Sequence, residues 1–112
     1  MQKARELTKE IYRITKKDLF SKDFGLKEQI RHSAVSIMAN IAEGFTRRSH
    51  KEFANFLSIA HASVAEVQSH LYVVLDQNYV SQEDFEHLYS CADEISRMIQ
   101  GFSKYLQNLR NS

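Results

Sequence analysis

The sequence is informative first in what it lacks. It has no proline and only three glycines among 112 residues, so little in it would interrupt long helices, and strands are not expected. A single cysteine, Cys91, excludes an internal disulfide and a CxxC metal site, and agrees with a reducing compartment. Because no apolar run is long enough for a signal peptide or a membrane span, we expect a cytoplasmic protein with no membrane partner.

Charge is nearly balanced overall but uneven along the chain. The net charge is +1, yet residues 1–51 contain twelve Lys or Arg and six Asp or Glu, whereas residues 52–112 contain three and eight. Two interpretations remain open. The halves could neutralise each other within the fold or between subunits, or a basic surface could contact polyanions.

Apolar residues recur at spacings of three and four through four segments, which predicts amphipathic helices at about 2–20, 26–47, 50–77 and 82–109. The predicted core includes Phe45 of the second helix and Phe102 and Leu109 of the fourth. Ser49 and Ser81 are the predicted N-caps of the third and fourth helices. Because the connections are short, consecutive helices must be antiparallel neighbours. We therefore predict one all-α domain over 1–112, an antiparallel up-down-up-down four-helix bundle.

More apolar surface is present than one bundle seam needs. In the second helix, Val35, Met38 and Ala42 extend the apolar arc sideways, and Ile59 and Val73 do the same in the third. Large exposed apolar surfaces are rare on monomers, so these residues predict a subunit interface. The alternative is a set of scattered exposed aliphatic side chains, which are common.

A polar line follows the other flank of the second helix, through Gln29, Ser33, Ser36, Asn40 and Arg47, with Glu43 just outside it. Such a line can form hydrogen bonds across a helix pair, and Gly44 beside it permits close backbone approach. For Asn40, Glu43 and Gly44 we favour a structural role over a ligand site.

No motif for catalysis or metal binding is visible. The five histidines form no pair at i,i+4 and accompany no cysteine cluster. There is also no glycine-rich phosphate loop and no nucleophile elbow. We therefore expect a protein that is not an enzyme and uses no cofactor or metal.

Basic residues form two candidate phosphate contacts. Arg5, Lys9 and Lys16 fall on the outer face of the first helix, and a second group, Arg47, Arg48 and Lys51, lies at the turn after the second helix. Arginine side chains and a helix N-terminus both bind phosphate well. The alternatives are a solvated helix face and pairing of Arg47 with Glu43 in its own helix.

The segment 29–71 resembles the signature of a bacterial four-helix-bundle family encoded in intervening sequences of 23S ribosomal RNA genes. The matching elements are Gln29-Ile30-Arg31, Asn40-Ile41-Ala42-Glu43-Gly44, Arg48-Ser49, Glu52-Phe53, Phe56-Leu57 and Ile59-Ala60. Met38 and His32 depart from the pattern, which commonly has proline and a second arginine there. The resemblance implies a homopentameric, barrel-like assembly, similar to the accessory proteins of diversity-generating retroelements, which bind nucleic acid and a reverse transcriptase. It supplies no catalytic residues.

Together these features predict a non-enzymatic homo-oligomer that contacts structured RNA or DNA through Arg31, Arg47, Arg48 and Lys51, with Arg5, Lys9 and Lys16 secondary. A nucleic-acid-processing protein is a further candidate partner. The alternative is a protein-interaction module that binds no nucleic acid and whose basic residues only balance charge. Salt dependence of binding distinguishes the two.

Overall fold

Four α-helices make up the computed structural model, which describes residues 2–111, with side chains for 2–109. They are α1 (Gln2–Thr15), α2 (Phe24–Phe45), α3 (His50–Asp76) and α4 (Gln82–Asn111), and the described chain contains no strand. Each helix packs against the one before it, and α4 returns to pack against α1. The predicted all-α, antiparallel four-helix bundle is confirmed.

The first helix ends five residues before the predicted boundary at residue 20. At its end, the amides of Lys16 and Lys17 bond to carbonyls three residues back, and Asp18 has a φ of 44°, which an α-helix cannot accommodate. A 3₁₀ helix over Asp18–Lys22 follows and buries Phe20, whose ring stacks on Tyr79 at 4.8 Å between centroids. This segment closes one end of the bundle.

The helix starts are set by side-chain caps. Asp23 accepts a hydrogen bond from the Leu26 amide at 3.3 Å, so α2 begins at Phe24, two residues before the prediction. The predicted caps are confirmed, because Ser49 accepts from the Glu52 amide at 3.1 Å and Ser81 accepts from the Asp84 amide at 3.0 Å. At their other ends, α2 stops at Phe45 and α3 at Asp76, and α4 continues through Asn111.

The core is aliphatic and follows the predicted seams, with three exceptions at one end of the bundle. Phe45, Phe102 and Leu109 were predicted to be core, but they are 60%, 37% and 40% exposed. The reason is the unequal length of the helices: the 14 residues of α1 span about 21 Å and the 30 residues of α4 about 45 Å. Near the C-terminus of α4, the described part of α1 does not lie over Phe45, Phe102 or Leu109.

Candidate nucleic-acid interface

The turn between α2 and α3 presents two unpaired cations. Arg48 and Lys51 are exposed, and their side chains make no hydrogen bond or ion pair with other described residues. Arg47, two residues after the end of α2, is different, because it forms an ion pair with Glu43 of that helix, and its guanidinium lies 4.7 Å from the centre of the Phe56 ring. A phosphate at this turn would therefore meet Arg48 and Lys51 directly, and Arg47 only in competition with Glu43.

Arg31 lies far from this turn. Arg31 is fourteen residues before Phe45, the last residue of α2, which is about 21 Å along the helix axis, and Arg47 lies beyond that end. The Nε of Arg31 donates to Thr15 Oγ1 at 2.8 Å, and its guanidinium lies over the Tyr12 ring at 4.3 Å from the centroid. Arg31 thus ties α2 to the end of α1, and only its terminal nitrogens remain for a ligand.

The other predicted cations lie on α1 and just beyond its end. Arg5, Lys9 and Lys16 are all exposed, and none of them has an ion-pair partner in the described part of the chain. Arg5 and Lys9 are four residues apart and share one face of α1, whereas Lys16 follows the last residue of the helix, Thr15. Lys16 is thus next in sequence to the residue that accepts the hydrogen bond from Arg31.

In the folded chain, the basic and the acidic halves of the sequence form different helices and so different parts of the surface. The basic half of the chain forms α1, α2 and the turn after it, and the acidic half forms the rest of α3 and α4. Between these halves, the described side chains form a single ion pair, Lys3 with Glu94 at 2.9 Å. The hydrogen bond and the opposite charge in this pair raise the pKa of Lys3 and lower that of Glu94. The two halves therefore hardly neutralise each other within one chain.

The predicted polar line lies at the contact between α2 and α3. Ser33 hydrogen-bonds to Glu66 at 3.0 Å, Ser36 to Ser63 at 2.9 Å, and Asn40 donates to the backbone and hydroxyl oxygens of Ser36. The bonds of Ser33 and Ser36 join the two helices, those of Asn40 stay within α2, and together they leave little free for a ligand.

Gly44 lies at a close approach between α2 and α3. A Cβ atom built there would lie 2.8 Å from Cδ1 of Phe53 and 3.3 Å from Cβ of Phe56. Glycine lets the helices meet at this distance.

The residues predicted to form a subunit interface do not share one surface. Val35, Ile59 and Val73 are 43%, 49% and 44% exposed, and Ala42 is also exposed. Met38 is partly buried, and its sulfur lies 3.4 Å from Thr8 Oγ1 of α1. Val35 and Ala42 are on this flank of α2, at spacings of three and four from Met38, whereas the residues on α3 lie beyond the opposite flank.

Sequence reasoning missed the apolar end of the bundle. A cleft of about 100 Å³ opens there, lined by Lys3, Ala4, Ile41, Phe45, Phe53, Leu57, Ile95, Met98, Ile99 and Phe102. Met98 and Tyr105 beside it are 54% and 57% exposed. One signal could have revealed this surface: residues 98–109 contain a single charged residue, Lys104, which is unusual for an exposed helix.

The described part of the chain shows neither a cluster of metal-binding side chains nor a membrane-spanning helix. No group of three or more His, Cys, Asp or Glu side chains there is placed to hold a metal ion. None of the described helices is long and apolar enough to cross a membrane.

The fold and the arrangement of charges define a helical-bundle protein whose Lys and Arg residues are concentrated in its first two helices and the turn after them. The family model for the 23S rRNA-intervening sequence protein matches residues 1–101, and the chain belongs to this family. It is also similar to the crystal structure of a protein of unknown function from the S23 ribosomal protein family of Bacteroides thetaiotaomicron VPI-5482. The two share 27% identity over 92% of this chain and 96% of that one, with a TM-score of 0.84. Among curated proteins, none matches this chain.

Proposed function

We propose that this protein is a non-enzymatic, cytoplasmic homo-oligomer that binds structured RNA or DNA through its basic face. The face comprises Arg5, Lys9, Lys16, Arg48 and Lys51, which we call the basic set. Arg31 and Arg47 contribute less, because each already has a partner within the fold. No cofactor or metal takes part.

One observation carries the proposal: the cations of the basic set are exposed and make no ion pair with the described residues. Uncompensated Lys and Arg side chains on one face attract phosphates, and binding releases the counterions of the nucleic acid. A solvated face that only balanced charge would gain more from pairing with the acidic half, yet among the described side chains of the basic half only Lys3 does so.

The test is fluorescence anisotropy of a labelled RNA hairpin and a labelled DNA duplex, titrated at 50 and 200 mM salt. If all five cations of the basic set contact phosphates, the slope of log K against log salt is about −4.5, and affinity falls about 500-fold across this range. The double variant Arg48→Ala/Lys51→Ala should reduce the slope to about −2.7. The affinity of this variant would then fall about 40-fold between 50 and 200 mM salt.

A matched control lies in the acidic half. Arg97→Ala/Lys104→Ala removes the same charge from exposed positions on α4, and should leave the slope unchanged. Equal effects of the two double variants would show that only net charge matters and would contradict the assignment of the face. Absence of binding at 50 mM salt would overturn nucleic-acid binding altogether.

A protein-interaction module is the second candidate function, favoured by the exposed rings of Phe45 and Tyr105. The homopentamer, the relation to retroelement accessory proteins and a nucleic-acid-processing partner belong to the proposal through the family resemblance. Sedimentation equilibrium of the full chain tests the subunit number, and five is the expected value.

A further inference from the structure

The seam between α1 and α2 carries cations and aromatic rings side by side. On α1, Arg5 and Tyr12 are seven residues apart, which places them on the same side of the helix. On α2, Phe24, Lys27 and Arg31 follow one another at spacings of three and four. The two sides meet, because the Arg31 guanidinium lies over the Tyr12 ring, 4.3 Å from its centroid. We call these five residues the cation–aromatic strip.

The carboxylates nearest to this strip in sequence face elsewhere. Glu6 and Glu10 line the groove between α1 and α4, which Lys9 also borders, and Glu28 lines the groove between α2 and α3. The carboxyl group of Asp23 already accepts two hydrogen bonds. The positive charge of the strip is therefore not cancelled by its neighbours, and it attracts anions.

Two of the cations are held in place by the rings beside them. The Lys27 ammonium lies 4.8 Å from the centre of the Phe24 ring and donates to the Ser21 carbonyl oxygen at 3.1 Å. Arg31 is fixed by Tyr12 and by its bond from Nε to Thr15. Neither cation forms an ion pair with a described residue. Side chains held in this way lose little further freedom when a ligand binds.

Planar groups of the strip remain open to solvent. Phe24 is 66% exposed, so most of its ring is free although Lys27 lies over it. Arg31 is half-buried and uses only Nε in its bond to Thr15, so its terminal nitrogens remain accessible. Unpaired bases stack on aromatic rings and on the planes of arginine guanidinium groups. The strip thus offers two surfaces that suit the face of a base.

We propose that the cation–aromatic strip binds single-stranded nucleic acid, with unpaired bases stacked on Phe24 and Arg31 and with phosphates paired to Lys27 and Arg5. Phe24 and Arg31 are seven residues apart, or about 10 Å along α2, which corresponds to about three nucleotide steps of 3.4 Å. The bases of a duplex are already stacked on one another, so a duplex would use only the cations. The inference rests on nucleic-acid binding in the proposed function and narrows it to unpaired nucleotides, such as those in the loop of a hairpin.

The experiment compares three labelled probes by fluorescence anisotropy of the full chain at 50 and 200 mM salt. They are an oligouridine of twelve nucleotides, an abasic strand with the same number of phosphates, and a DNA duplex of twelve base pairs. Stacking of one base on a protein platform contributes about 5-fold or more in affinity. With two platforms, we expect the wild type to bind the oligouridine about 25-fold more tightly than the abasic strand.

The variant Phe24→Leu/Arg31→Lys removes both planar groups and keeps the net charge. It should bind the oligouridine about 25-fold more weakly than the wild type does, with unchanged affinity for the other two probes and an unchanged salt slope. Tyr105→Leu/Arg97→Lys is the matched control, because it makes the same kinds of change at exposed positions on α4 and should alter nothing. Circular dichroism checks that each variant is folded. If the double variant does not fold, Phe24→Leu alone should lose about 5-fold for the oligouridine.

Each result supports or overturns the inference. Equal affinity of the wild type for the oligouridine and the abasic strand would overturn stacking while leaving phosphate binding intact. Equal weakening of all three probes by the variant of Phe24 and Arg31 would also contradict stacking, and an equal loss in the control would contradict the assignment to the strip. Absence of binding to every probe at 50 mM salt would overturn both this inference and the nucleic-acid binding of the proposed function.

Discussion

Replacing Gly44 with alanine tests whether α2 and α3 meet as closely as the structure indicates. Gly44 is buried, and the added methyl group would lie 2.8 and 3.0 Å from two ring carbons of Phe53 and 3.3 Å from Cβ of Phe56. The Phe53 ring cannot move away freely, because it packs against Phe45 and Phe102 at 4.8 and 5.3 Å between centroids. The methyl group must therefore push α3 or disturb this aromatic cluster.

Two effects of opposite sign determine the change in unfolding free energy. Alanine stabilises a helix interior by about 1 kcal/mol relative to glycine. Overpacking a close contact costs about 1 to 3 kcal/mol, and a contact of 2.8 Å against a ring that is itself packed belongs in the upper part of that range. We expect Gly44→Ala to destabilise the protein by about 1 kcal/mol net.

Gly101→Ala is the matched control. Gly101 is also inside a helix, but nothing lies within 4 Å of its Cβ position, so alanine should stabilise by about 0.5 to 1 kcal/mol. Urea unfolding followed by circular dichroism, at one protein concentration because of the proposed self-association, measures both changes. With a slope of about 1.5 kcal/mol/M, the midpoint should fall by about 0.7 M for Gly44→Ala and rise by about 0.5 M for Gly101→Ala. Equal stabilisation by the two variants would refute the close approach at Gly44.

Three further predictions concern individual side chains. Thr15→Val should destabilise by about 1 kcal/mol in urea unfolding, because the buried hydroxyl accepts from Arg31, and no loss would show that this bond contributes nothing. The hydrogen bond and charge from Lys3 lower the pKa of Glu94, so the stability from this pair should be present above the pKa of the unfolded state and lost as pH falls through the folded pKa. Glu94→Gln should accordingly be less stable than wild type at pH 7 and equal to it once the pH has fallen below the folded-state pKa of Glu94, and a constant difference would contradict the linkage. Burial raises the pKa of the Cys91 thiol, so iodoacetamide at pH 8 should modify it more slowly in the folded protein than in urea, and equal rates would refute the burial.

Much of the fold could be predicted from local patterns. Ser49 and Ser81 cap their helices as predicted, because a cap needs only a hydroxyl and an amide three residues later. The seams were also predictable, since spacing of apolar residues depends on helix geometry alone. The end of α1 was not, because it depends on the left-handed backbone of Asp18 and on burial of Phe20 against a ring on a distant part of the chain.

The candidate site was less predictable than the fold. The exposure of Arg48 and Lys51 follows from their places in the turn and in the first turn of α3, but Arg31 is engaged by Thr15 of another helix, sixteen residues away. No pattern within α2 reveals that bond. Pairing of Arg47 with Glu43 was foreseen as one of two alternatives, because the spacing of four residues is local.

The sequence alone determined that this chain forms four amphipathic helices in antiparallel order with a basic first half, because propensity, periodicity and charge are properties of short segments. Only the tertiary structure decided which cations remain without partners and which apolar rings stay exposed. Phe45 and Phe102 have the spacing of core residues, and they are exposed because α1, as described from Gln2, does not lie over that end of the bundle. Burial at that end depends on the axial alignment of helices of unequal length, a relation between distant segments that no local pattern contains.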